Sequence, residues 1–392
     1  MKKLVLILLI LISLSILSPF LINTEDPYDI RSTCKFIVSS NINNSSKMFD
    51  GKLSTKWTSE SGYQSITIEV PSNISDLKGI YIRWDKKPPA WNLTIPSLHD
   101  NRIIVSNDNP IYYAEWIPIP EEFKKNGTFL LSTYDTENCF SIQEISLYNF
   151  KIPYYVPQWK PYDGNPVDVM VIATHPDDEN IYLGPYIPLT ANAGKKSVTV
   201  FMTVGNSVRR IEAQESVWSM GGTICPVLRL AKDTFTRLQK DAIQVDGWSE
   251  EELLTYIVEQ IRKYKPSVIA THDIDGESGH GAHILTSYIV RKAVNMSGDL
   301  TQYPNSLKQY GAWTPQKLYL HLYNENKIYF DIGAKLSAFD NLTAHQVIVR
   351  SYSRHYSQQR LCIPLQVHGS KCDMSIFGLY WTNPDLRNEL IK

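Results

Sequence analysis

The chain has 392 residues and a formal net charge of −1, with 39 Lys and Arg residues against 40 Asp and Glu residues. This balance excludes the basic surface that a nucleic-acid-binding protein uses. The length exceeds what a single hydrophobic core usually supports and predicts two domains.

The first 24 residues predict a targeting or anchoring segment. Lys2 and Lys3 precede an uncharged run from Leu4 to Ile22, and the first acidic residue is Glu25. The run is just long enough to span a bilayer and lacks a usual small-residue cleavage site, so a cleaved signal peptide and an uncleaved anchor both stay open. Because the lysines come before the run, we expect a secreted or membrane-anchored protein whose remaining residues lie outside the cytosol.

Residues 30–150 predict an all-β sandwich. Short runs of alternating polarity recur, and turn-forming residues separate them. These runs are Ser65–Val70, Gly79–Trp84, Arg102–Ser106, Thr128–Ser132 and Phe140–Tyr148. The absence of a long helical period favours two packed β-sheets.

Several motifs in this region resemble the discoidin, or coagulation-factor type C, family of galactose-binding-like jelly rolls. The resemblance is carried by Asp50, Gly51, Thr55 and Trp57 in MFDGKLSTKWTS and by the strands SITIEV, GIYIRW and FSIQEISLY. It implies a jelly roll whose loops at one end bind a glycan or a lipid head group. A spacer without any ligand is the alternative, because a fold does not fix a function.

The five cysteines suggest disulfides in an oxidising compartment. Cys34 and Cys139 bracket the β-region, and the discoidin resemblance implies that they are joined. Cys362 and Cys372 are close enough in sequence to close a short loop, which leaves Cys225 over. Free buried thiols are the alternative for all five.

After a linker at 151–165 that is rich in Pro and Tyr, residues 166–392 predict an α/β domain. Buried strands alternate with helices, which is typical of a Rossmann-like, mainly parallel sheet. The expected strands are Val169–Ala173, Val198–Val204 and Ser267–Thr271, and the expected helices run from Asp178 to about Ala193, Val208–Met220, Glu250–Lys263 and Ala282–Val294. Ligands of such sheets bind at the carboxyl ends of the strands.

A first chemical cluster, THPDDE, directly follows the strand that ends at Ala173. An imidazole from His175 and a carboxylate from Asp178 suit zinc, and their spacing lets both reach one point at a helix start. Asp177 lies between them, close enough to act as a general base on a water molecule. Acidic capping of the helix is the structural alternative.

A second cluster, THDIDGESGHGAH, follows the next predicted strand, so it should open toward the same sheet edge. His280 and His283 share one face of a helix start. One of them can complete a metal site, and the other can stabilise an oxyanion or protonate the leaving amine. Three protein ligands and an open position are typical of catalytic Zn²⁺ rather than structural zinc.

Both clusters resemble the motifs of the PIG-L/LmbE family of zinc de-N-acetylases, whose AHPDDE motif differs here only by Thr174. GESGHGAH, SRHYSQ and FGLYWTNP also resemble segments of that family, so the resemblance extends over most of residues 166–392. It implies that zinc binds His175, Asp178 and His283, that Asp177 is the base, and that His280 is the second catalytic group.

Two further positions follow from the same resemblance. Arg209 in VRRIEA corresponds to the Arg of an R-x-x-E-A stretch and is expected to bind the sugar or a phosphate, with a surface ion pair as the alternative. Ala282 stands where some members have an Asp that orients the other His. We therefore expect Asp273 or Glu277 to orient His280.

The sequence as a whole predicts a zinc-dependent enzyme that deacetylates N-acetylglucosamine-containing glycans outside the cytosol. An alternative is the N-acetylglucosaminyl-phosphatidylinositol deacetylase of GPI synthesis, whose active site is expected on the cytosolic face. A second alternative is a carbohydrate-binding protein with a relict catalytic half. A nucleotide-binding Rossmann protein is disfavoured, because no Gly-rich phosphate loop follows the first strand.

Overall fold

The computed structural model describes residues 26–96, 102–125, 127–135, 137–359 and 372–384. The predicted targeting segment at 1–24 lies outside these ranges, and so does Cys362 of the suggested Cys362–Cys372 pair. No helix within the described ranges combines the length and apolar character needed to cross a membrane.

The amino-terminal region forms two antiparallel sheets. Its strands are β1 (Lys35–Val38), β2 (Trp57–Thr58), β3 (Gln64–Glu69), β4 (Leu77–Trp84), β5 (Trp91–Ile95), β6 (Arg102–Asn107), β7 (Ala114–Pro118), β8 (Thr128–Thr133) and β9 (Ser141–Asn149). One sheet has the order β1-β3-β8-β5-β6 and the other has the order β2-β9-β4-β7. The strand β6 is therefore at one edge of the first sheet, and β7 is at one edge of the second.

The two sheets share one core, as the alternating sequence pattern predicts. In β3, Ile66 and Ile68 are fully buried, whereas Thr67 between them is partly exposed. Trp57 and Trp84 from the opposite sheet fill the same core. Period-two alternation thus places every second side chain between the sheets. The all-β sandwich is observed, while its assignment to the discoidin type stays a prediction.

The expected disulfide between Cys34 and Cys139 is wrong, because the two residues lie toward opposite ends of β9. Before Cys34, the Ile30 amide donates to the Leu147 carbonyl near the end of β9. Cys139 instead comes just before Ser141, where β9 begins. Ser141 and Leu147 are roughly 20 Å apart along an extended strand, whereas a disulfide needs Cα atoms within about 7 Å. Both cysteines are free thiols.

The carboxyl-terminal region is an α/β unit. Its strands are β10 (Val169–Ala173), β11 (Ser197–Phe201), β12 (Val227–Leu228), β13 (Val268–Thr271), β14 (Lys317–His321), β15 (Lys327–Tyr329), β16 (Lys335–Leu336), β17 (Leu342–Thr343) and β18 (Ile376–Thr382). Its helices are α1 (Asp178–Ile181), α2 (Tyr186–Asn192), α3 (Ser207–Ser219), α4 (Gln239–Asp246), α5 (Glu250–Tyr264), α6 (Gly281–Ser297), α7 (Pro304–Tyr310) and α8 (Ala344–Tyr352).

The main sheet of this unit has the order β12-β11-β10-β13-β14-β18-β15. The pairs from β12 to β14 are parallel, and β18 pairs antiparallel with both β14 and β15. The mainly parallel sheet is confirmed, with an antiparallel edge that the sequence pattern did not predict. Because β10 and β13 are direct neighbours, the segments after them open at one edge.

The predicted helix from Asp178 to about Ala193 is two helices. The first ends at Ile181 and the second begins at Tyr186. Pro185 lacks the amide hydrogen that a continuous helix would need. A Cβ at the preceding Gly184 would lie 2.8 Å from the Asn180 carbonyl oxygen, so the break also packs tightly.

Glu215 on α3 joins the two regions through a buried network. Its Oε1 accepts from Arg83 Nε at 2.6 Å and from Tyr81 Oη at 2.7 Å, both on β4. Its Oε2 accepts from Arg354 Nε at 3.0 Å and from Tyr356 Oη at 3.1 Å. Burial opposes ionisation of Glu215, but the two guanidinium groups hold its pKa below its usual range. The sandwich is therefore fixed to the helix that borders the site described next.

Candidate active site

The residues predicted from the two motifs meet at the carboxyl edge of the sheet. His175 and Asp178 follow β10, while His283 lies in the first turn of α6, which follows β13. His280 is the residue immediately before α6. All of these side chains except that of His280 are nearly inaccessible to solvent. The shared sheet edge that the sequence predicts thus brings both motifs together.

His175, Asp178 and His283 form a compact group of three metal-type ligands. His175 Nδ1 lies 3.1 Å from His283 Nε2 and 3.3 Å from Asp178 Oδ2. His283 Nε2 lies 3.4 Å from the same carboxylate oxygen. Ligands around one tetrahedral zinc ion, at bonds of about 2.0–2.2 Å, are separated by roughly 3.3–3.5 Å. The three atoms therefore fit one ion between them.

The outer nitrogens of both imidazoles are held by acceptors. His283 Nδ1 lies 3.1 Å from the Glu277 carbonyl oxygen, which can only accept, so Nδ1 carries the proton and Nε2 faces the site with a lone pair. His175 Nε2 lies 2.7 Å from Asp233 Oδ2, which leaves Nδ1 directed at the other two ligands. Such outer hydrogen bonds are the usual way in which proteins orient metal-binding histidines.

The electrostatics of this group also favour a cation. Burial opposes charge on His175, yet the carboxylates of Asp178 and Asp233 raise its pKa to about 10. Burial likewise opposes ionisation of Asp178, but His283 and His175 hold its pKa well below its usual range. The group is thus arranged for positive charge beside ionised Asp178, as a divalent metal requires.

A second buried group, formed by His272, Glu277 and His321, has a supporting role. His272 Nε2 accepts from the Thr174 amide at 3.0 Å, and its Nδ1 lies 2.5 Å from Glu277 Oε2. His321 Nδ1 lies 2.7 Å from Glu277 Oε1. Both nitrogens of His272 are therefore engaged within the protein. The same Glu277 supplies the carbonyl that orients His283, so the group holds the second motif in place.

Asp177 adopts a strained backbone conformation beside the three ligands. Its φ is 120° and its ψ is −28°, a region that residues with a Cβ rarely occupy. Its amide donates to Glu179 Oε2 at 2.7 Å. Arg209 Nη2 donates to Asp177 Oδ1 at 3.0 Å and also contacts the Pro176 carbonyl. Strain of this kind concentrates at functional sites.

The ionisation of Asp177 is tuned by its surroundings. Burial raises the pKa of Asp177 to about 6, against the lowering effect of the Arg209 guanidinium. Arg209, which was expected to bind substrate or to form a surface ion pair, pairs with the predicted base, and its guanidinium is largely enclosed. Its role in binding substrate stays a prediction.

Glu179, the last residue of the first motif, is held by His355 from the closing segment of the chain. His355 Nε2 lies 2.7 Å from Glu179 Oε1, and Ser216 Oγ donates to the same oxygen at 2.6 Å. Ser216 is next to Glu215 in the chain, and His355 is next to Arg354. Both hydrogen-bond partners of Glu179 are therefore neighbours of residues in the buried network that joins the two regions. Glu179 thus connects the backbone of Asp177 to the fixed interface.

The residue that orients His280 is Asp233, and the expectation of Asp273 or Glu277 is wrong. His280 Nδ1 accepts from the Ala282 amide at 3.1 Å, so the ring proton of its neutral form is on Nε2. That Nε2 lies 3.3 Å from Asp233 Oδ2. Glu277 cannot take this role, because its carboxylate is bound to the rings of two other histidines.

Asp233 comes from the segment after β12, which sequence reasoning overlooked. In α/β sheets, the residues that bind ligands lie after the carboxyl ends of the strands. Asp233 follows the short strand β12, and this position is the signal that could have identified it. In the same segment, Phe235 packs edge-on against His280 with ring centroids 4.7 Å apart. The phenyl ring is 57% exposed, so it offers an apolar surface at the rim of the site.

Comparison with known proteins gives a family match for part of the chain. Residues 170–294 match the family model described as PIG-L, GlcNAc-PI de-N-acetylase. This match confirms the predicted PIG-L resemblance for that stretch. The stretch contains both motifs, Arg209 and Asp233, whereas the closing segment with His355 lies beyond it.

Individual relatives are more distant. The chain is 39% identical over 64 residues to a mycothiol S-conjugate amidase from Streptomyces coelicolor, a match that covers 16% of this chain and 21% of that relative. A structure of N,N'-diacetylchitobiose deacetylase from Pyrococcus horikoshii matches with 17% identity and a TM-score of 0.38, over 49% of this chain and 70% of the other. Chitosan-binding module 1 of a Paenibacillus chitosanase/glucanase matches with 15% identity and a TM-score of 0.24, over 29% and 94%. The chain thus spans about a fifth of its curated relative.

Proposed function

We propose that this protein is a zinc-dependent hydrolase that removes the acetyl group from N-acetylglucosamine units of a glycan or glycoconjugate. The observation that carries the proposal is the pair of histidines whose outer nitrogens are tied to Asp233 and to the Glu277 carbonyl. Their inner nitrogens face Asp178, with Asp177 beside them. Two imidazoles and one carboxylate favour zinc over Mg²⁺ or Ca²⁺, which prefer oxygen ligands throughout.

His175, Asp178 and His283 would hold the ion. When bound there, zinc polarises the amide carbonyl and lowers the pKa of a neighbouring water molecule. Asp177 takes a proton from that water as its oxygen attacks the carbonyl carbon. The partly raised pKa of Asp177 suits a group that accepts a proton and later returns it. Arg209 holds the carboxylate in the orientation that this transfer requires.

His280 serves as a hydrogen-bond donor. Because its Nδ1 accepts a backbone hydrogen bond, the one N–H of the neutral ring is on Nε2, which faces Asp233 at 3.3 Å and turns from that carboxylate to the amide oxygen as negative charge develops there. Asp233 holds the ring in this orientation. The carbon–nitrogen bond then breaks, the leaving nitrogen takes up a proton, and acetate and a free amine are the products.

The matched family and the rim of the site support this substrate class. The matched family model concerns a GlcNAc-PI de-N-acetylase, and the relatives include a diacetylchitobiose deacetylase and an amidase. The exposed ring of Phe235 offers an apolar face on which a sugar ring can lie. We propose that the protein acts outside the cytosol, secreted or anchored by residues 1–24, and that its sandwich binds a glycan or a lipid head group.

The description of the matched family supports a second candidate function, which is deacetylation of N-acetylglucosaminyl-phosphatidylinositol. That reaction requires a catalytic unit on the cytosolic face, which the lysines at the amino terminus disfavour. Protease protection of the catalytic unit in sealed microsomes distinguishes the two. Full protection supports the lumenal enzyme, and digestion at the outer face supports the phosphatidylinositol substrate.

The direct test combines metal analysis with a free-amine assay on N-acetylglucosamine oligomers. We expect one zinc ion per chain and release of acetate. Asp177→Asn should keep the metal and lose activity, because the amide cannot accept the proton. Asp275→Asn is the matched control, since Asp275 is an exposed residue in a loop next to the site. An Asp177→Asn protein with full activity would contradict the mechanism.

A further inference from the structure

A cavity of about 180 Å³ opens at the side of the sandwich, away from the metal-type ligands. It lies between β6 and β7, the edge strands of the two sheets, and the linker between the two regions completes its wall. The side chains that define it are Trp91, Asn107, Tyr112, Glu115, Trp116 and Trp159. Its location differs from the loops at one end of the sandwich, where the discoidin resemblance places a ligand.

The linker contributes Trp159, which ties the cavity to both regions. Its indole packs edge-on against Trp218 of α3, with ring centroids 5.3 Å apart. On the sandwich side, Tyr112 lies 6.4 Å from the same indole. The cavity therefore takes this shape only when the sandwich and the catalytic unit are docked.

The aromatic wall is rigid. Trp116 crosses β4 at Gly79, where an added Cβ would lie 2.5 Å from the indole ring. Trp91 is fixed from the other side, because its Nε1 donates to Glu115 Oε2 at 3.2 Å. Flat, immobile indole surfaces bind the apolar faces of sugar rings and attract cations through their π-electrons.

The polar groups in and around the cavity are the carboxyl group of Glu115 and several hydrogen-bond donors. Glu115 is held by Trp84 Nε1 at 2.8 Å and by Asn107 Nδ2 at 2.7 Å. Trp159 Nε1 is buried and has no hydrogen-bond partner within the described part of the chain. None of the residues that line the cavity is Lys, Arg or His. The cavity is thus suited to a ligand that brings an acceptor and a positive charge.

We infer that this cavity is a binding site for one amino-sugar ring, the deacetylated product of the proposed reaction. The sugar ring lies against the indoles, a hydroxyl or ring oxygen accepts from Trp159 Nε1, and the ammonium group faces Glu115. Phosphorylated and other anionic ligands are disfavoured, because the acid has no cationic neighbour in the cavity. The identity of the ligand as the product rests on the proposed function.

A binding site for the product gives a reason for a deacetylase to hold its sandwich firmly against the catalytic unit. A glycan that has already been deacetylated is then held beside the catalytic unit while its remaining acetylated units reach the site. Trp159 of the cavity packs against Trp218 of α3, and the same helix carries Arg209 in its first turn. The two sites are consequently held at a constant separation.

The test uses the full-length protein and measures tryptophan fluorescence during titration with glucosamine tetramer and, separately, N-acetylglucosamine tetramer. We expect saturable binding with about tenfold preference for the glucosamine tetramer, as a charge-assisted hydrogen bond between the ammonium group and Glu115 provides. Trp159→Phe should weaken binding by roughly fivefold through the lost hydrogen bond. Glu115→Gln should remove the preference for the amine, and Tyr329→Ala, at an exposed site of the catalytic unit, should change nothing.

Trp159→Phe and Glu115→Gln should both keep deacetylase activity on a small soluble substrate, which would show that both proteins fold. Absence of glucosamine binding, equal affinity for both tetramers, or binding that Trp159→Phe and Glu115→Gln leave intact would overturn the assignment. Binding of the glucosamine tetramer by a protein that deacetylates no substrate would instead contradict the proposed catalytic function, and the cavity would still be an amino-sugar site.

Discussion

Nε2 of His175 lies 2.7 Å from Oδ2 of Asp233, a carboxylate that belongs to neither of the two sequence motifs. The contact fixes the imidazole so that Nδ1 points at Asp178 and His283. The same oxygen of Asp233 lies 3.3 Å from His280. One side chain therefore orients both a proposed metal ligand and the proposed oxyanion donor.

Asp233→Ala should lower zinc affinity by about 10- to 100-fold, the usual cost of losing an outer-sphere partner. Competition with a chromophoric chelator measures this change. Asp275→Ala, in the exposed loop of the second motif, should leave the affinity unchanged. Equal zinc affinity in the wild-type and Asp233→Ala proteins would contradict the orienting role.

His280 and His283 should respond differently to the same substitution. His280→Gln should keep zinc and lower kcat by about 100-fold or more, because only a donor to the developing oxyanion is lost. His283→Gln should lose the metal itself. Metal content and steady-state kinetics measured on both proteins decide the matter, and a metal-free His280→Gln protein would reverse the two assignments.

Glu215→Gln should destabilise the whole protein by about 3–5 kcal/mol, because it leaves two buried arginines without their counter-charge. Glu250→Gln is the control, since Glu250 pairs with Lys292 at the surface and should cost at most about 1 kcal/mol. Urea unfolding measures both. We also expect separate unfolding transitions for the sandwich and the catalytic unit in Glu215→Gln, and a single unchanged transition would argue against the network.

Glu115 should make stability fall as pH rises. Burial raises the pKa of Glu115 from 4.5 to about 7. The folded state therefore binds more protons than the unfolded state between these values, and the free energy of unfolding decreases with pH across that window. Relative to Glu115→Gln, the wild-type protein should lose up to about 3 kcal/mol between pH 4.5 and 7. If the free energy of unfolding changed with pH in the same way in the wild-type and Glu115→Gln proteins, a buried Glu115 carboxyl with this pKa would be excluded.

The fold was largely predictable because its periodicities are local. Alternation in β3 and the continuous apolar run of β10 each reflect the burial of one strand. The two motifs were predictable as one site because parallel neighbours end at the same sheet edge. The break between α1 and α2 was missed, although Gly184 and Pro185 mark it in the sequence.

Other features depend on pairings that a single sequence does not contain. Asp233 follows a strand of only two residues, too short for a periodic signal. His355 reaches Glu179 across 176 positions, and Arg83 reaches Glu215 across 132. The wrong Cys34–Cys139 pairing has the same cause, because spacing along the chain says nothing about which end of a strand each thiol occupies.

The backbone of Asp177 places the proposed base in a conformation that glycine would adopt at little cost. A carboxylate there works against the stability of the fold, so selection for folding alone would replace it. Asp177→Gly should therefore unfold at a higher temperature than the wild-type protein while being inert as an enzyme. The proposed catalytic base at position 177 would thus come at the expense of thermal resistance.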